Sequence, residues 1–335
     1  MAATMADVAR LAGVSKKTVS NYFNGYPYFK PETRARIEAA IAQLNYRVNR
    51  AARSLKSGKS GRIGLAIPEL AQPYFAELAQ SVVSAAQHRG LDVLVEVTGG
   101  QDAHERRALH GAATRDVDGM IFSPLALPTA YIDAVDVGIP MVLVGDLGSS
   151  NHFDMVTVDS EQGIYDATAH LIASGRSRIV GLGWEVGAAV TAASTRTRGF
   201  VRALADHRLE ALAEFQVAGP EWNSTGGEQA ITQLIAQGVG FDAVMGFNDA
   251  LAIGALSALL KAGFSVPDDV AVIGFDNIEE SAFFMPALTT VDAGLAWVAH
   301  RAVELLCDRI GADGASGHSA VLDVAPYELI IRRSA

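Results

Sequence analysis

Polar and aromatic side chains follow several apolar segments that predict buried strands. They are Gln72, Tyr74, Phe75, Ser123, Asp146, Arg196, Trp222, Asn248 and Asp276. Carboxylates and an amide hydrogen-bond to neighbouring hydroxyl groups, an arginine adds a planar set of donors, and an indole stacks on the C–H face of a sugar ring. Because ligands of α/β folds bind at the carboxyl ends of strands, these residues predict a site for a neutral, polyhydroxylated ligand.

Some of these side chains are also suited to a structural role. Asn248 and Asp249 precede a predicted helix, and we expect Asp249 to cap it and Asn248 to contact the ligand. Core packing is a second interpretation for Tyr74, Phe75 and Trp222, and an ion pair across the cleft is a second interpretation for Arg196 and Asp276.

The elements that would position these side chains alternate between strands and helices. Strands are predicted at 62–68, 91–98, 119–124, 140–146, 155–159, 178–184, 214–219, 242–248, 270–277 and in a final region at 320–332. Helices are predicted at about 74–88, 103–115, 129–137, 160–174, 194–207, 227–237, 249–262 and 295–310. Continuous Val/Ile-rich strands alternating with helices are typical of buried parallel sheets. Ten strands are more than one sheet comfortably holds, so we expect an α/β body of two lobes, each a doubly wound parallel sheet.

The first 46 residues differ from the body and predict three short helices. Thr4 and Ser15, residue types that are preferred at helix N-caps, directly precede the first and second predicted helices. Ala9, Gly13 and Val19 have the spacing of a helix-turn-helix, in which a small residue lets two helices approach, glycine makes the turn and an apolar residue docks the second helix. An all-α head is therefore expected before the body.

Charge separates the same two parts of the chain. Residues 1–59 hold 11 lysines and arginines against 3 acids, a formal charge of +8, whereas the remaining residues hold 16 basic and 34 acidic residues, a formal charge of −18. A basic head on an acidic body indicates a polyanionic partner for the head and a different role for the body.

Composition excludes several classes of protein. Cys307 is the single cysteine, which excludes an intramolecular disulfide and a multi-cysteine zinc site and suits a reducing compartment. No apolar run approaches the length of a membrane span, and the opening segment MAATMADVARLAG lacks the apolar core of a signal peptide. We expect a cytoplasmic protein with no membrane partner and no cofactor.

Two segments of the head resemble the lactose-repressor/galactose-repressor (LacI/GalR) family. They are MADVARLAGVSKKTVSNYFNG at 5–25 and TRARIEAAIAQLNY at 33–46. The resemblance implies that helix 15–22 enters the DNA major groove, with Lys16, Lys17 and Asn21 directed at base edges. The residues implied to contact phosphates or to position the head are Thr4, Ser15, Thr18, Ser20, Asn24 and Arg34.

Residues 47–56, RVNRAARSLK, look like the hinge helix of that family. A helix of ten residues is marginal in water, so we expect it to form only on DNA. There it would pair with its twin in the minor groove, where Asn49 and Ala52 are expected contacts and Leu55 would wedge a central base step. The alternative is that Leu55 anchors a flexible linker to the body.

The resemblance continues through the body, which is similar to sugar-binding periplasmic proteins. It supports ligand roles for Arg196, Trp222, Asn248 and Asp276. Relatives often carry Asp five residues after the position of Pro140, but Gly145 occupies that place here and Asp146 comes one residue later. That departure puts the role of Asp146 in doubt.

The sequence thus predicts a DNA-binding transcriptional regulator, a repressor, whose operator affinity is modulated by a small, polar, sugar-like effector. The expected parts are a helix-turn-helix head at 1–46, a hinge helix or linker at 47–60, and an effector-binding, dimerising body at 61–335. Within the body, the N-lobe is expected at about 61–159 and 292–320, and the C-lobe at about 160–291 and 321–335. A homodimer on near-palindromic double-stranded DNA follows from one head per half-site.

Two rival functions are an NAD-binding-type α/β enzyme and a soluble sugar-binding receptor. The segment GLGWEVG at 181–187 is similar to a dinucleotide loop, but its third glycine comes one residue late and no acid follows a second strand at the expected place. The absent export signal and the basic head oppose a receptor. We therefore expect no enzymatic activity.

Overall fold

The computed structural model describes residues 3–23, 26–46, 59–187, 190–218, 221–311 and 319–335. The chain divides into two compact units, Met1–Ser60 and Gly61–Ala335. Four residues that were predicted to contact DNA lie outside the described residues, namely Asn24, Asn49, Ala52 and Leu55.

Within its described residues, the first unit contains three helices, α1 (Met5–Ala12), α2 (Lys16–Phe23) and α3 (Pro31–Gln43). Thr4 caps α1 reciprocally, because its hydroxyl accepts the Asp7 N–H and the Asp7 carboxylate accepts the Thr4 N–H at 2.9 Å. Gly13 ends α1 with a φ of 63°, which favours glycine. Val8, Val19 and Ile37, one from each helix, are fully buried and form the centre of a small core.

The second unit contains twelve strands, eight α-helices and three short 3₁₀ helices among the residues that the structure describes. The strands are β1 (Arg62–Ile67), β2 (Asp92–Val97), β3 (Met120–Phe122), β4 (Met141–Val144), β5 (Asp154–Val158), β6 (Ile179–Trp184), β7 (Gln216–Ala218), β8 (Ala243–Gly246), β9 (Ala271–Asp276), β10 (Thr289–Asp292), β11 (Leu322–Ala325) and β12 (Glu328–Ile330). The helices are α4 (Pro73–His88), α5 (Asp102–Gly111), α6 (Thr129–Asp133), α7 (Ser160–Ala173), α8 (Ala192–Asp206), α9 (Ser224–Ala236), α10 (Asp249–Lys261) and α11 (Leu295–Gly311). None of the helices described here combines the length and hydropathy that a bilayer-spanning segment needs.

The strands form two six-stranded sheets, one in each lobe. The first has the order β11-β5-β4-β3-β1-β2 and is parallel throughout. The second has the order β12-β10-β9-β8-β6-β7 and is parallel except for β12, which runs antiparallel to β10. The expectation of two wholly parallel sheets is therefore corrected at one edge.

The chain passes between the lobes three times, at 158–160, 292–295 and 325–328. The predicted boundary at 320/321 is wrong, because β11 (Leu322–Ala325) pairs with β5 in the first lobe. The single strand region predicted at 320–332 is two strands, and Pro326 lies between them. Strand β10 was not predicted from the sequence.

Candidate functional site

A cleft of about 810 Å³ lies between the two lobes of the body. All nine side chains that the strand-end pattern selected line it. Gln72, Ser123 and Asp146 come from the first lobe, whereas Arg196 and Trp222 are among those from the second. The structure therefore brings the predicted set together, and contact with a ligand stays a prediction for each of them.

Arg196 lies at the centre of this cleft, in the second turn of α8. Its side chain is 8% exposed, and Nη2 lies 3.4 Å from Asp146 Oδ2 and 3.6 Å from Asp276 Oδ1. Nη1 donates to the Phe247 carbonyl oxygen, and the guanidinium carbon lies 4.0 Å from the centroid of the Phe275 ring. The buried Nε has no hydrogen-bond partner among the described residues. The ion pair of Arg196 with Asp276 is thus present, but it lies within the second lobe and not across the cleft, where the contact of Arg196 is with Asp146.

Asp146 lies in the cleft despite its displaced position in the sequence. Gly145 has a φ of 131°, a conformation that an aspartate at that position would adopt only with strain. The Asp146 carboxylate accepts a hydrogen bond of 2.7 Å from the Ser160 hydroxyl in addition to the contact with Arg196. Since Ser160 begins α7 and Arg196 lies in α8, Asp146 connects the first lobe to two helices of the second.

Asp276 ends β9 and carries an unusual charge environment. Burial raises its pKa to about 7; Arg196 acts in the opposite direction, and the charges of Asp146 and Glu77 raise the pKa further. The residue has a φ of 116°, in the region that favours glycine. Near neutral pH the cleft therefore holds a carboxyl group that can exchange a proton and serve as donor or acceptor.

The helix α10 is capped by Asn248 and not, as expected, by Asp249. Asn248 is the N-cap, because its Oδ1 accepts the Leu251 N–H at 2.8 Å. Asp249 is fully buried and accepts the Ile278 N–H at 2.9 Å and the Thr290 hydroxyl. Burial holds the pKa of Asp249 well above its usual range. The expected Asp249 cap is therefore wrong, and Asn248 both caps α10 and lines the cleft.

The aromatic residues of the cleft divide between core and wall. Phe75 packs into the core of the first lobe and meets the Tyr74 ring edge-on, with centroids 5.1 Å apart. Tyr74 packs against the cores of both lobes. Trp222 is half-buried, and its ring centroid lies 5.7 Å from the guanidinium carbon of Arg196. Core packing thus describes Phe75 well, although this residue also reaches the cleft.

Sequence reasoning missed other residues of the cleft. Glu185 directly follows β6 and lines the cavity, and its carboxylate accepts the Thr191 hydroxyl at 2.8 Å. The strand-end rule that selected Asp146 and Asp276 would also have found Glu185, which was considered only as part of a possible dinucleotide loop. Thr191 caps α8, so the same contact fixes the start of the helix that carries Arg196.

A loop at 123–129 forms much of the first-lobe wall, and a buried glutamate holds it. Glu105 has no exposed surface, and its two carboxylate oxygens accept N–H groups from Leu125, Ala126 and Leu127 at 2.7 to 3.2 Å. Thr129 then donates to the Gly148 carbonyl oxygen at 2.9 Å, which ties this loop to the one after β4. No sequence signal marks Glu105, since a glutamate on an amphipathic helix is ordinarily solvated.

The glycine-rich segment at 181–187 is explained by packing. Gly181 and Gly183 lie within β6, and Gly183 has a φ of 111°. A Cβ atom on Gly183 would lie 3.0 Å from the Phe247 Cβ. These two glycines therefore allow the strand to pass close to a core phenylalanine and do not form a phosphate-binding turn. The described residues contain no group of three potential metal ligands.

The head presents a polar helix face to solvent. Ser15, Lys16 and Lys17 are exposed at the start of α2. The other predicted DNA contacts within the described residues are exposed (Thr4, Arg34) or partly exposed (Thr18, Ser20, Asn21). The Ser15 hydroxyl accepts the Thr18 N–H at 3.0 Å, so the cap predicted for this helix is present.

Known proteins resemble the chain over nearly its whole length. Residues 4–49 match the family described as "Bacterial regulatory proteins, lacI family", and residues 168–335 match the "Periplasmic binding protein-like domain". The HTH-type transcriptional repressor PurR of Haemophilus influenzae (strain PittEE) is 33% identical over 340 residues, covering 99% of this chain and 98% of that protein.

Two solved structures show the same architecture. The lac repressor dimer bound to operator and the anti-inducer ONPF is 27% identical, with a TM-score of 0.83 over 100% of this chain and 99% of that one. The complex of the transcriptional regulator CelR with cellobiose is 26% identical, with a TM-score of 0.72 over 99% of this chain and 100% of that one.

Proposed function

The chain belongs to the LacI family of DNA-binding transcriptional repressors, and from this premise we propose that a small polar effector bound in the interlobe cleft sets its affinity for operator DNA. The observation that carries the proposal is the cleft itself, where side chains from both lobes converge around Arg196. A ligand that touches both lobes stabilises one relative placement of them, and differential affinity for two placements is what an allosteric effector requires.

The proposed effector is neutral and rich in hydroxyl groups, as a sugar is. Arg196 is the one basic side chain among the described residues that line the cleft, and it already faces two carboxylates. Four acidic side chains line the same space, namely Glu69, Asp146, Glu185 and Asp276. The excess of acidic over basic side chains repels anionic groups and therefore disfavours a phosphate or carboxylate on the ligand. The structural relative with cellobiose bound supports the same class of ligand.

On the DNA side, α2 is proposed to enter the major groove of a near-palindromic operator. Lys16, Lys17 and Asn21 would read base edges, and their exposure on α2 supports this role. The proposed positioning contacts are Thr4, Ser15, Thr18, Ser20, Asn24 and Arg34, and the proposed hinge contacts are Asn49, Ala52 and Leu55.

A homodimer is proposed as the binding unit, since a near-palindrome offers two half-sites. The relative solved on its operator is a dimer. Large apolar side chains exposed on both lobes of the body support a partner chain, because covering them removes apolar surface from water. Phe283 and Met285 are each 79% exposed, and Leu94, Val95 and Val97 on the edge strand β2 are also exposed.

Thermal unfolding in the presence of candidate compounds tests the effector proposal. The panel contains neutral sugars, nucleosides and sugar phosphates. A true ligand at 100 times its Kd stabilises the folded body by about 2.7 kcal/mol, which raises the Tm. We expect a neutral sugar to raise the Tm of the wild type, and Trp222→Ala to remove that rise.

Trp297→Phe, on α11 and not part of the cleft lining, is the matched control and should keep the response. The proposal fails if sugar phosphates stabilise the protein more than their neutral counterparts do, or if no compound in the panel changes the Tm.

A further inference from the structure

Gln72 occupies a helix N-cap position without capping the helix. It precedes α4, where Pro73 takes the first helical position, and its side chain makes no capping hydrogen bond. Ser, Thr, Asp or Asn would satisfy an N–H group of the first turn at this place. The side chain of Gln72 is longer and reaches across the cleft instead.

The atom that Gln72 reaches is the main-chain carbonyl oxygen of Trp222. Gln72 Nε2 donates to it at 2.6 Å from the first lobe, and Asn248 Nδ2 donates to it at 3.2 Å from the second. One carbonyl oxygen therefore accepts an amide from each lobe. Since Asn248 also caps α10, its hydrogen bond attaches the Trp222 carbonyl oxygen to the start of that helix.

These two hydrogen bonds are made to the main chain of the residue whose indole lines the cleft. Trp222 stands in the connection between β7 and α9, and Asn223 begins α9 as its N-cap. The carbonyl contacts hold the residue from the cleft side, with the indole beside Arg196. Loss of the Gln72 contact would leave Trp222 attached to its own lobe only.

We infer that Gln72 is a positioning residue, which holds Trp222 in the cleft wall and favours the closed arrangement of the lobes through a single donated hydrogen bond. Gln72 also lines the cleft, so a direct ligand contact stays a separate prediction for this residue. The consequence of the positioning role for effector binding rests on the proposed function, whereas the hydrogen bond and its effect on Trp222 do not.

The inference has a test that needs no effector. Acrylamide quenching of tryptophan fluorescence is measured on the full chain, and the same measurement on Trp222→Phe isolates the contribution of Trp222 from those of Trp184 and Trp297. Gln72→Glu keeps the shape of the side chain but, when ionised, cannot donate and repels the carbonyl oxygen. Gln72→Ala removes the side chain altogether.

At pH 8 we expect both variants to increase quenching of Trp222 and shift its emission to the red, with the larger effect for Gln72→Glu. A neutral hydrogen bond is worth a factor of about two to ten in the ratio of closed to open forms. Lowering the pH protonates the new glutamate, restores a donor and should return its quenching towards that of the wild type. Gln87→Glu, exposed near the end of α4, is the matched control and should change nothing.

A role in packing alone predicts that Gln72→Glu behaves as the wild type at every pH, and that result would overturn the inference. A quenching change that persists in the Trp222→Phe background would overturn it as well. If the quenching results appear as expected while no compound of the thermal panel binds, the effector proposal fails and the positioning role stands.

Discussion

At the scale of a single residue, the pKa of Asp276 shows how burial and neighbouring charges in the cleft act on one carboxyl group. Its pKa is raised to about 7 by burial and by neighbouring carboxylates, in spite of Arg196. An aspartate in the unfolded chain has a pKa of about 4. The folded protein therefore holds this proton more tightly than the unfolded chain does, so ionisation of Asp276 reduces the free energy of unfolding as the pH rises from about 4 to about 7.

Asp276→Asn removes that titration while keeping the shape of the side chain. We expect the free energy of unfolding of the variant, relative to the wild type, to increase by about 2–4 kcal/mol between pH 4 and pH 8. Urea titrations at several pH values measure it. Asp102→Asn, an exposed aspartate on α5, is the control; the Arg106 hydrogen bond holds the pKa of Asp102 below its usual range, so this difference has the opposite sign and should not increase with pH. A difference that fails to increase for Asp276→Asn as well would contradict the assigned environment.

At this scale the sequence could identify which residues line the cleft but not what they bind within the protein. Strand ends predict the residues, because the carboxyl ends of parallel strands share one edge of the sheet. Such reasoning could not show that Asn248 caps α10 in place of Asp249. The buried position of Asp249 depends on Gly274 in β9, because a Cβ atom on Gly274 would collide with the Asp249 carboxylate.

At the scale of elements, the loops after β3 and β4 form much of the first-lobe wall of the cleft. Glu105 on α5 holds the loop after β3. Glu105→Gln keeps the volume but replaces one acceptor oxygen by an NH₂ group that faces backbone N–H groups. An unsatisfied buried donor costs about 1–3 kcal/mol, so we expect a loss of stability of that order. Hydrogen exchange of the Leu125 to Leu127 amides should become faster.

Asp102→Asn on the same helix again serves as the control. Among the described residues, the exposed Asp102 side chain is hydrogen-bonded to Arg106 only. Unchanged exchange at Leu125 to Leu127 in the Glu105→Gln protein would show that the loop does not depend on this carboxylate.

Most elements could be predicted because their patterns are local. The helix at 249–261 was expected at 249–262, and the one at 160–173 was expected at 160–174. Strand β10 was missed because Thr289–Asp292 is short and mostly polar, and its strand character comes from β9 and β12 on either side. The assignment of β11 to the first lobe likewise depends on its pairing with β5, which no local pattern contains.

The separation of charge is a property of the whole molecule, with a formal +8 in residues 1–59 and −18 in the rest. If a dimer neutralises about eight phosphates, the logarithm of the DNA association constant falls with the logarithm of salt concentration with a slope of about −7. Fluorescence anisotropy with a duplex of arbitrary sequence measures this slope. Replacement of Arg34, an exposed residue proposed as a phosphate or positioning contact, by Ala should reduce its magnitude, by about two for a dimer that loses two phosphate contacts.

Replacement of Lys261, which pairs with Glu228 on the body surface, is the matched control and should leave the slope unchanged. A slope close to zero for the wild type would remove the electrostatic basis for DNA binding by the head.

The coupling between cleft and operator is the central claim, and a binding titration tests it directly. An operator is first selected from a random-sequence library with the full chain, and its Kd is then measured by anisotropy with and without a saturating amount of the compound that raises the Tm most. Coupling free energies in allosteric proteins are typically about 1–3 kcal/mol, so we predict a change in Kd of about 5- to 150-fold. The same Kd in both conditions, with the compound demonstrably bound, would contradict the account.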